Sequence, residues 1–352
     1  MRIAQVMLAR GFGGAERSFV DLSLALAARG HEVLAIGDGR GAALPMLAGR
    51  RGISLVSLRC HGNWDLLARR RLRQALEAFA PKVVQAHLAR AALLAGHAAH
   101  ALGLPTVAKT HNLVDARYYR DIDLLVPTTA AQAAHLRAQG VAEQDLRLIP
   151  NFSPLEPLAA RVHAAGPPWR LKTFGRFVAK KGFACLLDAT AALRAAGVDV
   201  RLEVGGDGPE NGALRARAAS LGIADRVCWP GWITDVPAFL ADAHLFVLPS
   251  HDEPFGIVLL EAMACGTPIV TTPTAGPCEI LDADTACFAA RDDAAALADA
   301  LTLALGDYAL CARRAQAALE RFRARYSAEV ITARYLDAYA ELAGREPRRR
   351  EA

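Results

Sequence analysis

The chain has 352 residues, of which 53% are apolar, 22% charged and 6% aromatic. At ~150 residues per domain that length predicts about two domains, and the apolar content excludes a disordered chain. The net charge of +5 is too small to imply a nucleic-acid partner, but it suits anionic ligands or an anionic membrane surface.

Met1–Leu8 reads as a first strand entering a Gly-rich turn, without the long apolar core or cleavage site of a signal peptide. Short β-rich runs then alternate with Ala/Leu-rich amphipathic stretches. The pattern predicts strands near 2–8, 31–36, 54–58, 82–86, 106–110, 123–128 and 146–149, with helices at 14–29, 65–79, 90–102 and 130–139. The apolar window Leu88–Val107 carries Arg90, His97 and His100, and reads as a helix and a short strand rather than a membrane span. Around 151–169, Asn151, Pro154, Pro157, Gly166, Pro167 and Pro168 interrupt regular structure and mark a linker.

Alternation then resumes. Strands are expected near 170–174, 201–205, 227–229, 245–249 and 268–272, with helices near 182–196, 212–221, 256–265 and 292–305. Long helices at 308–325 and 327–342 follow, and the basic end from Arg345 to Ala352 is expected to fray. Such alternation implies two doubly wound α/β domains with parallel sheets. A tandem of this kind is expected to leave a cleft, with ligands beyond the carboxyl ends of the strands. The seven cysteines are scattered without a CxxC pair, as expected of reduced thiols in a cytosolic protein, and no Cys/His set has zinc spacing.

Gly11-Phe12-Gly13-Gly14-Ala15-Glu16-Arg17 follows the first strand and opens a helix. It suits a tight turn, a ligand-contacting loop, or a dinucleotide loop in which Glu16 replaces the last glycine and Asp38 supplies the ribose acid. Between strand and helix, Gly175-Arg176-Phe177-Val178-Ala179-Lys180-Lys181-Gly182 collects three cations. They oppose the helix dipole unless an anion is shared there; the alternative is a solvated basic loop. Gly205-Gly206-Asp207-Gly208 is another strand-end turn, which positive φ alone would explain.

The most informative segment is Pro249-Ser250-His251-Asp252-Glu253-Pro254-Phe255-Gly256-Ile257-Val258-Leu259-Leu260-Glu261-Ala262. Glu261 sits in an otherwise apolar helix, where a carboxylate needs partners such as ligand hydroxyls. Glu253, on the loop entering that helix, is placed to grasp the other end of the same ligand. Thr274-Ala275-Gly276-Pro277 is a further turn whose amides suit phosphate or sugar oxygens. His87 and His111 end strands of the first domain and are expected to face a ligand. Asp121-Ile122-Asp123 spells a metal-binding DxD but opens a strand rather than ending one, and Asp282-Ala283-Asp284 is a turn, so no metal site is read. Arg69, Arg70, Arg71 and Arg73, beside Leu66, Leu67 and Leu72, form either a solvated helix face or a dock for anionic lipid.

In this order the segments resemble the retaining glycosyltransferases of family 4, over nearly the whole chain. Glu253 and Glu261 match the family's Glu-x7-Glu motif. Gly175-Arg176 and Lys181-Gly182 match its phosphate loop, and Gly13-Gly14-Ala15-Glu16 its N-terminal glycine loop. Ile149-Pro150-Asn151 matches its linker signature, with Phe152 where glycine is usual. The family's His-x-His reads Gln85-Ala86-His87 here, so only the second histidine carries over.

The resemblance implies a GT-B fold: two Rossmann-like doubly wound domains facing across a cleft. Residues 1–160, completed by the helix at 327–342, would form the acceptor-side domain, and 168–325 the nucleotide-sugar domain. It further implies sugar transfer from a nucleoside-diphosphate sugar, UDP-sugar favoured, to a glycan or glycolipid of lipopolysaccharide or another cell-envelope polysaccharide. Catalytic roles would fall to Glu253, His111, Arg176 and Lys181. The donor would be held by Gly13, Gly14, Arg176, Lys181, Gly206, Glu253, Phe255, Gly256, Ile257 and Glu261, with Gly276 assisting. Acceptor-side candidates are Glu16, His87, His111 and Asn112. No protein nucleophile, metal or other cofactor is required, since the acceptor attacks from the leaving-group face and the diphosphate takes its proton. The expected place is the cytoplasm, peripheral to the inner face of the plasma membrane through the arginine-rich helix. A sugar-nucleotide 2-epimerase on the same fold, a nicotinamide dehydrogenase using Gly11–Gly14 and Asp38, and a degenerate scaffold subunit are the competing readings.

Overall fold

The structure, a computed structural model, describes residues 1–11, 13–62, 65–159 and 165–344. The described residues fall into two compact units: Met1–Pro154 with the segment from Ala328, and Leu155–Ser327. The basic end beyond Gly344 lies outside the described residues.

In the first unit the strands are β1 (Arg2–Met7), β2 (Glu32–Gly37), β3 (Ile53–Ser57), β4 (Val83–His87), β5 (Thr106–Lys109) and β6 (Leu124–Val126). Helices α1 (Gly14–Ala28), α2 (Leu66–Phe79), α3 (Leu88–His100) and α4 (Ala130–Ala138) alternate with them. The sheet order is β3-β2-β1-β4-β5-β6, all parallel. Asp65 and Thr129 cap α2 and α4 by accepting the N–H groups of Ala68 and Gln132.

The strand expected at 146–149 is reduced to one bridge between Leu146 and Leu125. The segment does run beside β6: Arg147 N–H donates to the Leu125 carbonyl and Ile149 N–H to that of Pro127. Pro127 has no N–H to return, so the parallel ladder cannot continue. Phe152, where glycine is usual, is buried with Ile149, Ile331 and Tyr335.

The second unit has β7 (Trp169–Phe174), β8 (Val200–Gly205), β9 (Val227–Gly231), β10 (Leu245–Leu248), β11 (Ile269–Thr271) and a two-residue edge strand β12 (Cys287–Phe288). Its helices are α5 (Phe183–Ala195), α6 (Asn211–Ser220), α7 (Val236–Leu240), α8 (Ile257–Ala264), α9 (Ala275–Ile280), α10 (Ala294–Gly306) and α11 (Tyr308–Arg325). The order β12-β11-β10-β7-β8-β9, again parallel, repeats the first sheet's order counted from its own first strand. Within β10, Leu245 and Val247 pack into one core and Phe246 and Leu248 into another. Helices cover both faces, which is why the strand is apolar at every position.

The last helix, α12 (Ala328–Ala343), belongs to the first unit. Its stripe Ile331, Tyr335, Ala338 and Leu342, with Tyr339, packs against Ile3, Leu22, Leu26 and Val83. That helical spacing places the apolar side chains on one face.

Candidate active site

In an open parallel sheet the strand order reverses at one point, and ligands settle beyond the carboxyl ends of the strands there. In the second unit that point lies between β7 and β10. The loops after these strands carry Gly175–Gly182 and Pro249–Gly256, and the loop after β8 adds Gly206–Gly208.

Backbone bonds knit the three loops into one rim. Phe177 N–H donates to Asp207 O at 2.8 Å, and His251 N–H to Lys180 O at 2.8 Å. Glycine is required where the loops touch. A Cβ on Gly206 (φ +133°) would lie 1.9 Å from Gly175 O, and one on Gly182 (φ +68°) 2.0 Å from Pro249 O.

The rim brings Lys181 and Glu253 together: Lys181 Nζ donates to Glu253 Oε2. Their side chains are 15% and 9% exposed, so the pair is largely withdrawn from water. Ser250 Oγ stands 3.5 Å from the same carboxylate oxygen. Arg176 is exposed, while Glu261, on the second turn of α8, is fully buried. Gly256 enters α8 at φ +93° and Ile257 begins the helix half-buried.

Three expected donor contacts are modified. The Phe255 ring is buried with Leu248, Leu259 and Met263, so it packs the core and leaves only its backbone near the rim. Gly276 N–H donates to Glu253 O at 2.8 Å, so this amide positions Glu253 rather than awaiting a ligand oxygen. Gly206 N–H is likewise given to Gly231 O, at 2.6 Å. On the far side of the rim, His251 Nδ1 pairs with Asp292 Oδ1.

The first sheet reverses between β1 and β4. Gln5 and Gln85 lie in register on these strands, and both are buried. Tyr339 of α12 donates its hydroxyl to Gln85 Oε1 and accepts from Gln5 Nε2 at 3.3 Å. With its amide nitrogen turned to Tyr339, Gln5 presents Oε1 to His87 Nε2, 2.9 Å away. His87 Nδ1 then faces His111 Nε2 at 3.4 Å, and the two rings stack with centroids 5.7 Å apart. His87, expected to face the acceptor, is instead fully buried, with both ring nitrogens engaged; it supports His111. The next residue, Leu88, turns the chain into α3 at φ +69°, a conformation that costs roughly 1–3 kcal/mol.

Lys109, at the end of β5, is fully buried and donates to Ser18 Oγ at 2.8 Å. Burial pushes its amine down to about 7, against the opposing pull of Asp21, whose own carboxyl burial raises to about 6. Burial first, then the Lys109 ammonium, hold His87 and His111 well below the usual imidazole range. Both imidazoles are therefore neutral at pH 7. Of the remaining candidates, Glu16 Oε2 accepts the Gly13 N–H at 2.9 Å and caps its own helix. Gly14 is the first residue of α1, Asn112 is exposed, and Phe12 lies outside the described residues. Sequence reading missed Gln5, Lys109, Ser18, Asp21 and Tyr339. A signal existed: Gln5, Gln85 and Lys109 are polar positions inside three mainly apolar neighbouring strands.

Asp38 is not available to a ribose. It is 2% exposed and bonded by Arg40 Nη2 at 2.7 Å and Arg10 Nε at 3.0 Å. Arg40, then Arg10, hold its carboxyl below the usual range. Asp123 sits at the opposite, amino-end edge of the sheet and accepts from Thr106 N–H and Oγ1. On α2, Ala68, Leu72 and Leu76 face the core, while Leu66 and Leu67 are 72% and 58% exposed beside exposed Arg70, Arg71 and Arg73; Arg69 is half-buried.

The family described as Glycosyltransferase Family 4 matches residues 12–156, and that described as Glycosyl transferases group 1 matches 161–321. The chain is 32% identical over 348 residues to the lipopolysaccharide core biosynthesis glycosyltransferase LpsE of Rhizobium meliloti (strain 1021), covering 95% of this chain and 97% of that one. It is also 32% identical to LpsD of the same organism, over 93% and 95% of the two chains. Among solved structures, Anabaena Alr3699/HepE in complex with UDP superposes with a TM-score of 0.83 at 19% identity, over 97% of this chain and 100% of that one, a likeness of fold.

Proposed function

The chain belongs to the family 4 glycosyltransferases of GT-B fold, and from that premise we propose that it transfers a sugar from a nucleoside-diphosphate sugar, UDP-sugar favoured, to a glycolipid acceptor of the lipopolysaccharide core. The observation carrying this reading is the rim at the reversal point of the second sheet, where Lys181 and Glu253 meet between three glycine-laced loops. The two Rhizobium meliloti relatives, both described as lipopolysaccharide core biosynthesis glycosyltransferases, support the acceptor class. The UDP in the Anabaena neighbour supports the choice of base.

In this reaction the bond between the sugar's anomeric carbon and the diphosphate breaks, and the acceptor hydroxyl bonds to that carbon on the same face. The hydroxyl proton passes to a departing diphosphate oxygen. Negative charge grows on the diphosphate, and fixed cations stabilise it without reorganising. Lys181 has three N–H donors, one engaged by Glu253, so it can serve carboxylate and phosphate together. Arg176 adds a second cation. Glu253, anchored by Lys181 and by the Gly276 amide to its carbonyl, is an acceptor for sugar hydroxyls, and Glu261 for those of the ribose. Neutral His111, steadied by His87, is assigned to the acceptor side with Asn112. No metal or other cofactor is assigned a role. The exposed leucines and arginines of α2 are proposed to rest on anionic lipid, at about 1 kcal/mol per arginine, as a peripheral cytoplasmic enzyme would.

Calorimetry with UDP, GDP, ADP and NAD, beside Glu261→Ala and Arg176→Ala, tests the donor site. One nucleoside diphosphate should bind without added metal, and both substitutions should weaken it. Binding of NAD alone, or of nothing by folded protein, overturns the reading. A radiolabelled sugar-transfer assay on core-truncated lipopolysaccharide, with the anomeric configuration of the product read by NMR, tests acceptor and retention.

A further inference from the structure

One pair of cysteines stands outside the machinery above. Cys287, half-buried on the edge strand β12, has its sulfur 3.8 Å from that of Cys311 on α11. Arg314 Nη1 donates to Cys287 Sγ at 3.0 Å. Cys311 and Arg314 are three residues apart on one helix, so both side chains leave the same face and meet the strand together. Cys311 is buried, its sulfur also 3.3 Å from Ala304 O. We propose that Cys287 and Cys311 form a peroxide-reactive dithiol site, with Cys287 the attacking sulfur and Cys311 the resolving one.

The electrostatics agree with that division. The neighbouring Cys311 thiol, with the Arg314 guanidinium, pulls the Cys287 thiol down, while Cys287 and burial push Cys311 up. The two shifts run in opposite directions, favouring the thiolate on Cys287 and the proton on Cys311. The thiolate is the nucleophile in such chemistry. Cys287 sulfur attacks the O–O bond of a hydroperoxide: an S–O bond forms, the O–O bond breaks, and the peroxide is reduced to water or an alcohol. Cys311 sulfur then attacks the sulfenic sulfur. The S–S bond forms, and oxygen leaves as water with the Cys311 proton. The sulfurs must close from 3.8 Å to about 2.05 Å. The other five cysteines differ: Cys60 and Cys265 are buried, Cys228 and Cys278 are exposed, and half-buried Cys185 has its thiol raised by burial and by Asp188.

The test treats reduced full-length protein with limiting hydrogen peroxide, alkylates the remaining thiols, and maps the peptides by mass spectrometry. A cross-linked 287–311 peptide, reversible by dithiothreitol, is expected before oxidation of Cys228 or Cys278. In Cys311→Ser, Cys287 should be trapped as a dimedone-reactive sulfenic acid. In Arg314→Ala, cross-linking should slow several-fold. The proposal is overturned if both thiols stay alkylatable while the exposed cysteines oxidise. It is equally overturned if Cys311→Ser yields no dimedone adduct at Cys287, or if Cys287→Ser leaves Cys311 as reactive as before.

Discussion

On the proposed function, the Lys181–Glu253 pair should separate donor binding from catalysis, because its two members should move nucleotide affinity in opposite directions. Replacing Lys181 with Met removes a charge-assisted hydrogen bond to the diphosphate, worth about 1.5–3 kcal/mol, or ~10–150-fold in affinity. It also strands Glu253, whose side chain is only 9% exposed, at a folding cost of about 3 kcal/mol. Replacing Glu253 with Gln keeps Lys181 and removes the anion competing for it. Nucleoside diphosphate should then bind tighter, by up to about tenfold, while turnover falls ~100-fold or more as the sugar loses its charged partner. The double variant regains the folding stability lost in Lys181→Met without regaining affinity, which keeps unfolding apart from binding. Calorimetry with the nucleotide that binds the parent, denaturant unfolding and initial rates complete the cycle. Affinity falling alike in both single variants, or returning in the double variant, refutes this account of the pair.

Gly206→Ala forces a Cβ to 1.9 Å from Gly175 O at φ +133° and should destabilise the second unit by about 2 kcal/mol or more; Gly212→Ala, with open space around it on α6, should be neutral or slightly stabilising in the same urea titration. Lys109 has a folded-state value lowered to about 7, below its unfolded one, so the unfolded chain binds more protons across roughly pH 7–10 and stability rises with pH there. Relative to Lys109→Met, the parent should gain up to about 1.4 kcal/mol per pH unit in that window, and parallel stability profiles would contradict the burial argument. Charge reversal of Arg70, Arg71 and Arg73 should abolish salt-sensitive sedimentation with anionic vesicles and leave neutral vesicles unaffected; equal binding by parent and variant removes α2 as the contact.

The parallel architecture was legible because helices cover both faces of each sheet. Strands such as Leu245–Leu248 are then apolar at every position, and charged or glycine-rich turns at their ends stand out. The partnerships were not legible. Lys181 and Glu253 are 72 positions apart, His87 and Gln5 82, and Tyr339 and Gln85 254. No periodicity reports a contact across such distances. Glu16 illustrates a second limit: an acid in a helix's first turn looks the same in sequence whether it awaits a ligand or caps the Gly13 N–H. Phe255 illustrates a third, since a motif fixes residue type and order but not which side chain turns into the core.

The substitution of Gln85 for the family's first histidine becomes intelligible once α12 is in place. Positions 85 and 87 of β4 project to the same face, and the register sets Gln5 beside Gln85. Buried amides are costly unless bonded, and Tyr339, from the far end of the chain, engages both. Gln5, with its amide nitrogen held by Tyr339, presents its oxygen to His87, and His87 in turn meets His111. The ring nitrogen that His111 offers at the sheet edge is thus set by a hydrogen-bond chain beginning on the last helix. That is a physical reason for the chain to return to the first unit after completing the second.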